Sequence, residues 1–163
     1  MNKAFLLLGG NIGNRFSNLE KAKHFLEVKV GKILSCSQIY ETASWGNTDQ
    51  PDFLNQVLLI ETKLTAQQLM QEILSIEKNL GRVRTQKNAS RKIDIDILFF
   101  NNDIVKTKDI TIPHSEIQNR NFVLHPLNEI APQFEHPLLK KTVNELLLLC
   151  NDGLAVHLYN QHN

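Results

Sequence analysis

Long apolar runs are missing from this chain, and with them any stretch approaching the ~20 residues that cross a bilayer. Cysteine is scarce. The two present, Cys36 and Cys150, have no CxxC or Cys/His spacing, which argues against a disulfide scaffold or a zinc site. They read as reduced thiols in apolar settings. An excess of one charge is absent too: 18 Lys plus Arg face 17 Asp plus Glu, for a formal net charge of +1. General binders of nucleic acid or membrane surfaces carry a basic excess, so neither partner is expected. The N-terminal apolar run Ala4 to Leu8 ends at Gly9 and Gly10, short of the about 7–15 residues of a signal-peptide core. A soluble, cytoplasmic protein is expected. There is no internal repeat, linker or low-complexity tract.

What is present fits one domain spanning residues 1–163. Ala4 to Leu8 reads as a strand buried on both faces. Ser17 to Glu20 has the form of a capping box, followed by Leu19, Ala22, Phe25 and Leu26 at helical spacing. One strand is predicted over Ile33 to Thr42, then a polar loop over Ala43 to Asp52, then a strand over Phe53 to Thr62. Thr65 and Gln68 cap a second helix, whose core stripe is Leu69, Ile73, Ile76 and Leu80, with Gly81 just past its end. A second polar loop, Arg82 to Lys92, precedes a strand at Ile93 to Phe100. A turn at Asn101 to Asp103 and a short strand at Ile110 to Ile112 follow. Phe122 to Ile130 and Thr142 to Cys150 read as helices, the latter with a Thr142/Glu145 capping box. The order is β-α-β-β-α-β plus additional strands and C-terminal helices. It predicts an α+β fold of ferredoxin-like type, with helices on both faces of a mostly antiparallel sheet.

The run "SRKIDIDILFF", Ser90 to Phe100, carries the chemistry. Asp94 and Asp96 are two apart on a strand, so they share a face with Cα atoms roughly 7 Å apart. The same alternation puts Leu98 and Phe100 on that face, which places the aspartates at the rim of a cleft. Two carboxylates so held repel unless a cation lies between them, and hard oxygen ligands with open positions suit Mg²⁺. "DID" alone, being short, reads more readily as a polar face on a half-exposed strand. Its surroundings are less ordinary: Arg82, Arg84, Lys87, Arg91 and Lys92 lie upstream, with His114 and Arg120 downstream. Metal between carboxylates, with guanidinium groups around it, suits a polyphosphate. "GGNIG", Gly9 to Gly13, matches neither phosphate-loop fingerprint; its glycines fit a tight turn or close approach to a flat ligand. His114 alone is compatible with a structural role, as Phe122 is with core packing. Trp45 sits in a polar loop, where an aromatic can stack on a planar heterocycle. Asn55 interrupts an apolar strand, and its amide donors and acceptor match a pterin or purine edge.

These stretches resemble the 6-hydroxymethyl-7,8-dihydropterin pyrophosphokinase family. The resemblance runs from "LLLGGNIGNR" through "DQPDFLNQV", "IEKNLGRVR", "SRKIDIDILFF" and "TIPH" to "NRNFVLHPLNEIAP". The Arg91-to-Asp96 run is its most specific part. The resemblance implies transfer of the β,γ-pyrophosphoryl group of ATP to the pterin hydroxymethyl oxygen, with release of AMP. It implies that Asp94 and Asp96 hold two Mg²⁺ ions against the triphosphate and that Arg82, Arg84 and Arg91 stabilise the moving phosphates. It sets His114 and Arg120 on the ATP phosphates, and Glu77 and Ile97 beside the nucleotide. Asn55 and Thr42 would hydrogen-bond the pterin, Trp45 and Phe122 would flank its rings, and Phe53 and Asn11 would lie nearby. A monomer is the family expectation.

The chain departs from the family pattern at three places. Gly10 stands where serine is usual, "KNASR" lacks the aromatic residue often found before the arginine matching Arg91, and Trp45 replaces a leucine of some relatives. Two rivals remain from the residues: another Mg²⁺-nucleotide transferase, and a metabolite- or RNA-binding module. An RNA-binding sheet would expose paired aromatics on its central strands, where this chain has Asp94 and Asp96.

Overall fold

The computed structural model describes residues 1–43, 51–81 and 92–160. Strand β1 (Asn2–Gly10) has an apolar core on each side. Ala4, Leu6 and Leu8 enter one cluster, while Phe5 and Leu7 enter the other. Two-sided burial is why this segment reads as an unbroken apolar run. Helices α1 (Arg15–Lys29) and α2 (Ala66–Asn79) cover the first face with Leu19, Ala22, Leu26, Leu69, Ile73 and Ile76. Helices α3 (Asn121–Ile130) and α4 (Val143–Leu149) cover the second with Val123, Leu124, Leu127, Val143 and Leu146.

The remaining sheet strands are β2 (Gly31–Cys36), β3 (Tyr40–Thr42), β4 (Phe53–Thr62), β5 (Asp94–Phe100) and β8 (Val156–Leu158). They run β5-β1-β4-β3-β8, with β2 also paired to β4. Every pair is antiparallel. Strands β6 (Val105–Lys106) and β7 (Thr111–Ile112) form a separate hairpin. The core order β5-β1-β4-β2, with helices on both faces, is the expected α+β arrangement of ferredoxin-like type.

Two capping boxes form as the sequence predicts, at Thr65/Gln68 and Thr142/Glu145. Gly81 has φ +90°, the left-handed conformation suited to a glycine just past a helix end. Three local expectations fail for physical reasons. Helix α1 starts earlier than Ser17, because the Asn14 side chain accepts from the Ser17 N–H and caps it first. The strand over Ile33 to Thr42 is two strands. Ser37 breaks it by binding β4 on its own terms: its N–H donates to the Val57 carbonyl, its Oγ accepts from Val57 N–H, and its carbonyl accepts from Gln56 Nε2. Finally, Phe100 does not share a face with the two aspartates. The β1–β5 register shifts so that Phe5 pairs with Phe99 while Leu6 pairs with Ile97. This β-bulge inserts Leu98, turning Leu98 and Phe99 to the α3/α4 core and Phe100 to the α1/α2 core.

Candidate active site

β1 and β5 meet where the apolar run of β1 gives way to glycine. Gly9 pairs with Asp94 and Leu7 with Asp96, so these four residues share the α3/α4 side of the sheet. On the other flank of β1, Gly9 pairs with Asn55 of β4. Asn55 pairs in turn with Tyr40 of β3, two residues before Thr42. A cavity opens over this corner. Leu7, Gly9, Phe53 and Asn55 border it from the sheet, Asp94 and Asp96 from one side, Thr42 and Ala43 from the other, and Arg120 and Phe122 from the start of α3. Seven residues expected at the site from sequence are thereby brought together.

The polar groups in this cavity are held, not merely present. Asn55 is 3% exposed, and its Nδ2 donates to Thr42 Oγ1 at 3.1 Å. Buried amides need such partners. Gly9 supplies the room: a Cβ there would lie 2.8 Å from Asn55 Oδ1 and 3.3 Å from the Leu54 carbonyl. The Arg120 guanidinium lies 5.8 Å from the Phe122 ring centroid and 3.9 Å from Glu116. His114 is not among the residues bordering this cavity; its Nδ1 accepts from the Glu116 N–H at 3.1 Å, which leaves the proton of the neutral ring on Nε2, a donor. Burial first, then the Arg120 charge, push the His114 pKa below its ordinary value; Glu116 and Asp94 oppose them in part. The backbone N–H of His114 donates to the Leu98 carbonyl, which ties His114 to β5.

A second cleft lies on the outer side of β5. It is bordered by Gln67, Met70, Gln71 and Glu77 of α2, by Thr107 and Asp109 between β6 and β7, and again by Asp94 and Asp96. Glu77, 3% exposed, accepts from the Ile95 N–H through Oε2 at 2.8 Å. The pleat aims the N–H of Ile97 at the same edge. The Ile97 side chain itself is buried in the α1/α2 core, so it can meet a ligand only through its backbone. Asn11, one residue past β1, donates to the Pro51 carbonyl at 3.0 Å and borders another opening with Arg15, Glu41 and Asp52. Trp45, Arg82, Arg84 and Arg91 lie outside the described residues.

Sequence reasoning missed Gly9, Ala43 and the polar rim of the second cleft. The Gly-Gly ending an apolar run signalled the first. Nothing in the sequence marked Gln67, Gln71 or Asp109.

The aspartate pair fits a hard divalent cation. Among the described residues no group of three or more His, Cys, Asp and Glu side chains converges as a closed metal cage. Two carboxylates on a rigid strand between two openings are the donor set of an ion that keeps positions for phosphate and water.

Residues 5–132 match the family described as 7,8-dihydro-6-hydroxymethylpterin-pyrophosphokinase (HPPK). A 2-amino-4-hydroxy-6-hydroxymethyldihydropteridine pyrophosphokinase of Aquifex aeolicus is 39% identical over 149 residues, covering 89% of this chain and 90% of that protein. One of the same description from Methylorubrum extorquens is 42% identical over 133 residues, covering 81% and 84%. The Folic acid synthesis protein FOL1 of Dictyostelium discoideum is 39% identical over 156 residues, which are 96% of this chain but 24% of that longer protein. The fold matches the crystal structure of Plasmodium falciparum HPPK-DHPS with TM-score 0.73 at 22% identity, over 91% of this chain and 43% of that one. The chain belongs to the 7,8-dihydro-6-hydroxymethylpterin-pyrophosphokinase family.

Proposed function

We propose that this chain performs its family's reaction across β5, with the pterin in the first cavity and ATP in the second cleft. It is an ATP-dependent diphosphotransferase of folate synthesis: it moves the β,γ-pyrophosphoryl group of ATP to the hydroxymethyl oxygen of 6-hydroxymethyl-7,8-dihydropterin and releases AMP. One observation carries the placement: Asp94 and Asp96 border both openings. A group passing from one to the other passes the two carboxylates.

Asn55 and Thr42 present amide and hydroxyl groups to the edge of the heterocycle, as a planar ligand with its own donors and acceptors requires. Phe53 and Phe122 supply apolar surface for its rings, and the resemblance assigns Trp45 to the same rings. Asp94 and Asp96 would hold two Mg²⁺ ions, which would supply charge neutralisation for the polyphosphate. Arg120, and the Nε2–H of a neutral His114, donate to phosphate oxygens. Glu77 holds the Ile95 N–H and so fixes the strand that carries both aspartates. Arg82, Arg84 and Arg91 complete the phosphate contacts. No nucleophile–base pair is needed, because the substrate hydroxyl attacks phosphorus directly and catalysis is positioning plus charge neutralisation. Asp94, which borders the pterin cavity, would accept the hydroxyl proton.

The family resemblance leads us to read residues 1–163 as one domain acting as a monomer. Among the described residues, no helix is long and apolar enough to cross a membrane; substrates such as ATP suit a cytoplasmic location. An RNA-binding sheet is disfavoured because helices cover both of its faces. The test is incubation with ATP, Mg²⁺ and 6-hydroxymethyl-7,8-dihydropterin. AMP and the dihydropterin diphosphate are expected; ADP would replace this reading with ordinary kinase chemistry.

A further inference from the structure

The two side walls of the pterin cavity are the parts least embedded in the sheet. Thr42 ends β3, a strand of 3 residues. Arg120 and Phe122 flank the first turn of α3, whose N-cap residue Arg120 makes no side-chain capping bond. Neither wall is fixed by its own local sequence. The C-terminal segment touches both.

Asp152 makes the first attachment. Its Oδ2 accepts from the Asn121 N–H at 2.9 Å, and its carbonyl accepts from Asn121 Nδ2 at 2.8 Å. Its Oδ1 accepts from the Leu154 N–H at 3.0 Å, which stiffens the turn that follows. A carboxylate here satisfies a helix N–H that Arg120 leaves uncapped, and it complements the positive end of the helix dipole. Strand β8, which follows directly, makes the second attachment. Val156 pairs with Thr42, His157 with Glu41 and Leu158 with Tyr40. Tyr159 then donates its N–H to the Ile39 carbonyl, and Arg15, ion-paired with Glu41, lies 5.7 Å over the Tyr159 ring.

We propose that residues 151–160 form a strap that sets the spacing between the Thr42 wall and the Phe122 wall, with Asp152 as the positioning residue that locks it. The inference rests on the reading of this cavity as the dihydropterin site. The strap lies beyond residue 132, where the family model's match ends. A cavity for a rigid bicyclic ring binds well only if its walls are already at the right separation. Loosening one wall therefore weakens the pterin more than the nucleotide, whose cleft lies across β5.

The experiment compares Asp152→Ala, Asp152→Asn and Asn121→Ala with the unaltered chain in steady-state AMP formation, with circular dichroism to check the fold. Expected for Asp152→Ala is a rise of about tenfold or more in KM for the dihydropterin, with a clearly smaller rise in KM for ATP, because Arg120 beside the loosened turn also serves the phosphates. Asp152→Asn keeps the Asn121 N–H bond through its one amide oxygen but turns its NH2 toward the Leu154 N–H, so it restores part of the loss. Asn121→Ala keeps the backbone bond and gives a smaller rise with the same selectivity; it carries the test if Asp152→Ala does not fold. Unchanged pterin KM in Asp152→Ala, equal rises in both KM values, or no rescue by Asp152→Asn would each overturn the proposal. Calorimetric binding of the dihydropterin to the unaltered chain, measured first, tests the cavity assignment separately.

Discussion

Replacing Gly9 with alanine probes the proposed pterin pocket through its neighbour Asn55. The new Cβ would sit 2.8 Å from Asn55 Oδ1 and 3.3 Å from the Leu54 carbonyl. The first distance is well inside van der Waals contact, and the second belongs to backbone that β1–β4 pairing holds in place. The Asn55 side chain must therefore give way. It is short, buried and bonded to Thr42 at 3.1 Å, so a shift of a few tenths of an ångström strains or breaks that bond. Misplacing a buried hydrogen-bonding group costs about 1–3 kcal/mol. If that cost falls on pterin recognition, affinity drops roughly 5- to 150-fold at 1.4 kcal/mol per decade. Calorimetric titration with the dihydropterin reads it directly, and circular dichroism checks that the fold persists. Combining Gly9→Ala with Asn55→Ala completes a cycle, and the two losses should overlap because both act through one side chain. Wild-type affinity in Gly9→Ala, or losses that add in full, would refute the reasoning.

Three further perturbations follow from the same contacts. Gly31→Ala puts a Cβ 1.9 Å from the Glu61 carbonyl across the β2–β4 pair; urea unfolding should show a loss of about 3 kcal/mol or more, and a loss below about 0.5 would contradict the register. Glu77→Ala removes the acceptor of the buried Ile95 N–H; about 1–3 kcal/mol of stability should go, and a variant as stable as the parent would mean that Glu77 does not anchor β5. Burial holds the pKa of His136 below its ordinary value, as it does for His114. The folded chain then binds fewer protons than the unfolded chain below about pH 6.5, so stability is fully present above that pH and declines as pH falls. His136 Nδ1 accepts from the Leu138 and Leu139 N–H groups. Urea unfolding at about pH 7.5 and about pH 5.5 should show the decline, with a smaller one in His136→Asn; no decline would count against a neutral buried imidazole.

The candidate residues that the fold brings to the two openings were legible because their signals are local. Asp94 and Asp96 announce a shared face by spacing alone, and Thr65/Gln68 announces a cap by identity and offset. What depends on a partner strand was not legible. Phe100 changes sides because β5 bulges against β1, and nothing within "DIDILFF" encodes that register shift. The break at Ser37 exists because Gln56 and Val57 reach it from β4. The C-terminal tail reads as featureless, yet Asp152 and β8 bind elements distant in sequence. Asn55 was legible as a polar anomaly in an apolar strand; the role of Gly9 was not, because it is defined by space that only the folded corner reveals.

The central claim is that the carboxylates of Asp94 and Asp96 hold the metal that serves both openings. The most direct measurement is Mg²⁺-dependent AMP formation from ATP and 6-hydroxymethyl-7,8-dihydropterin by Asp94→Ala and Asp96→Ala, each checked for native circular dichroism. The account predicts that turnover is lost in both while the fold is kept, and that a metal chelator abolishes it in the unaltered chain. Normal Mg²⁺-dependent AMP formation by both folded variants would contradict it.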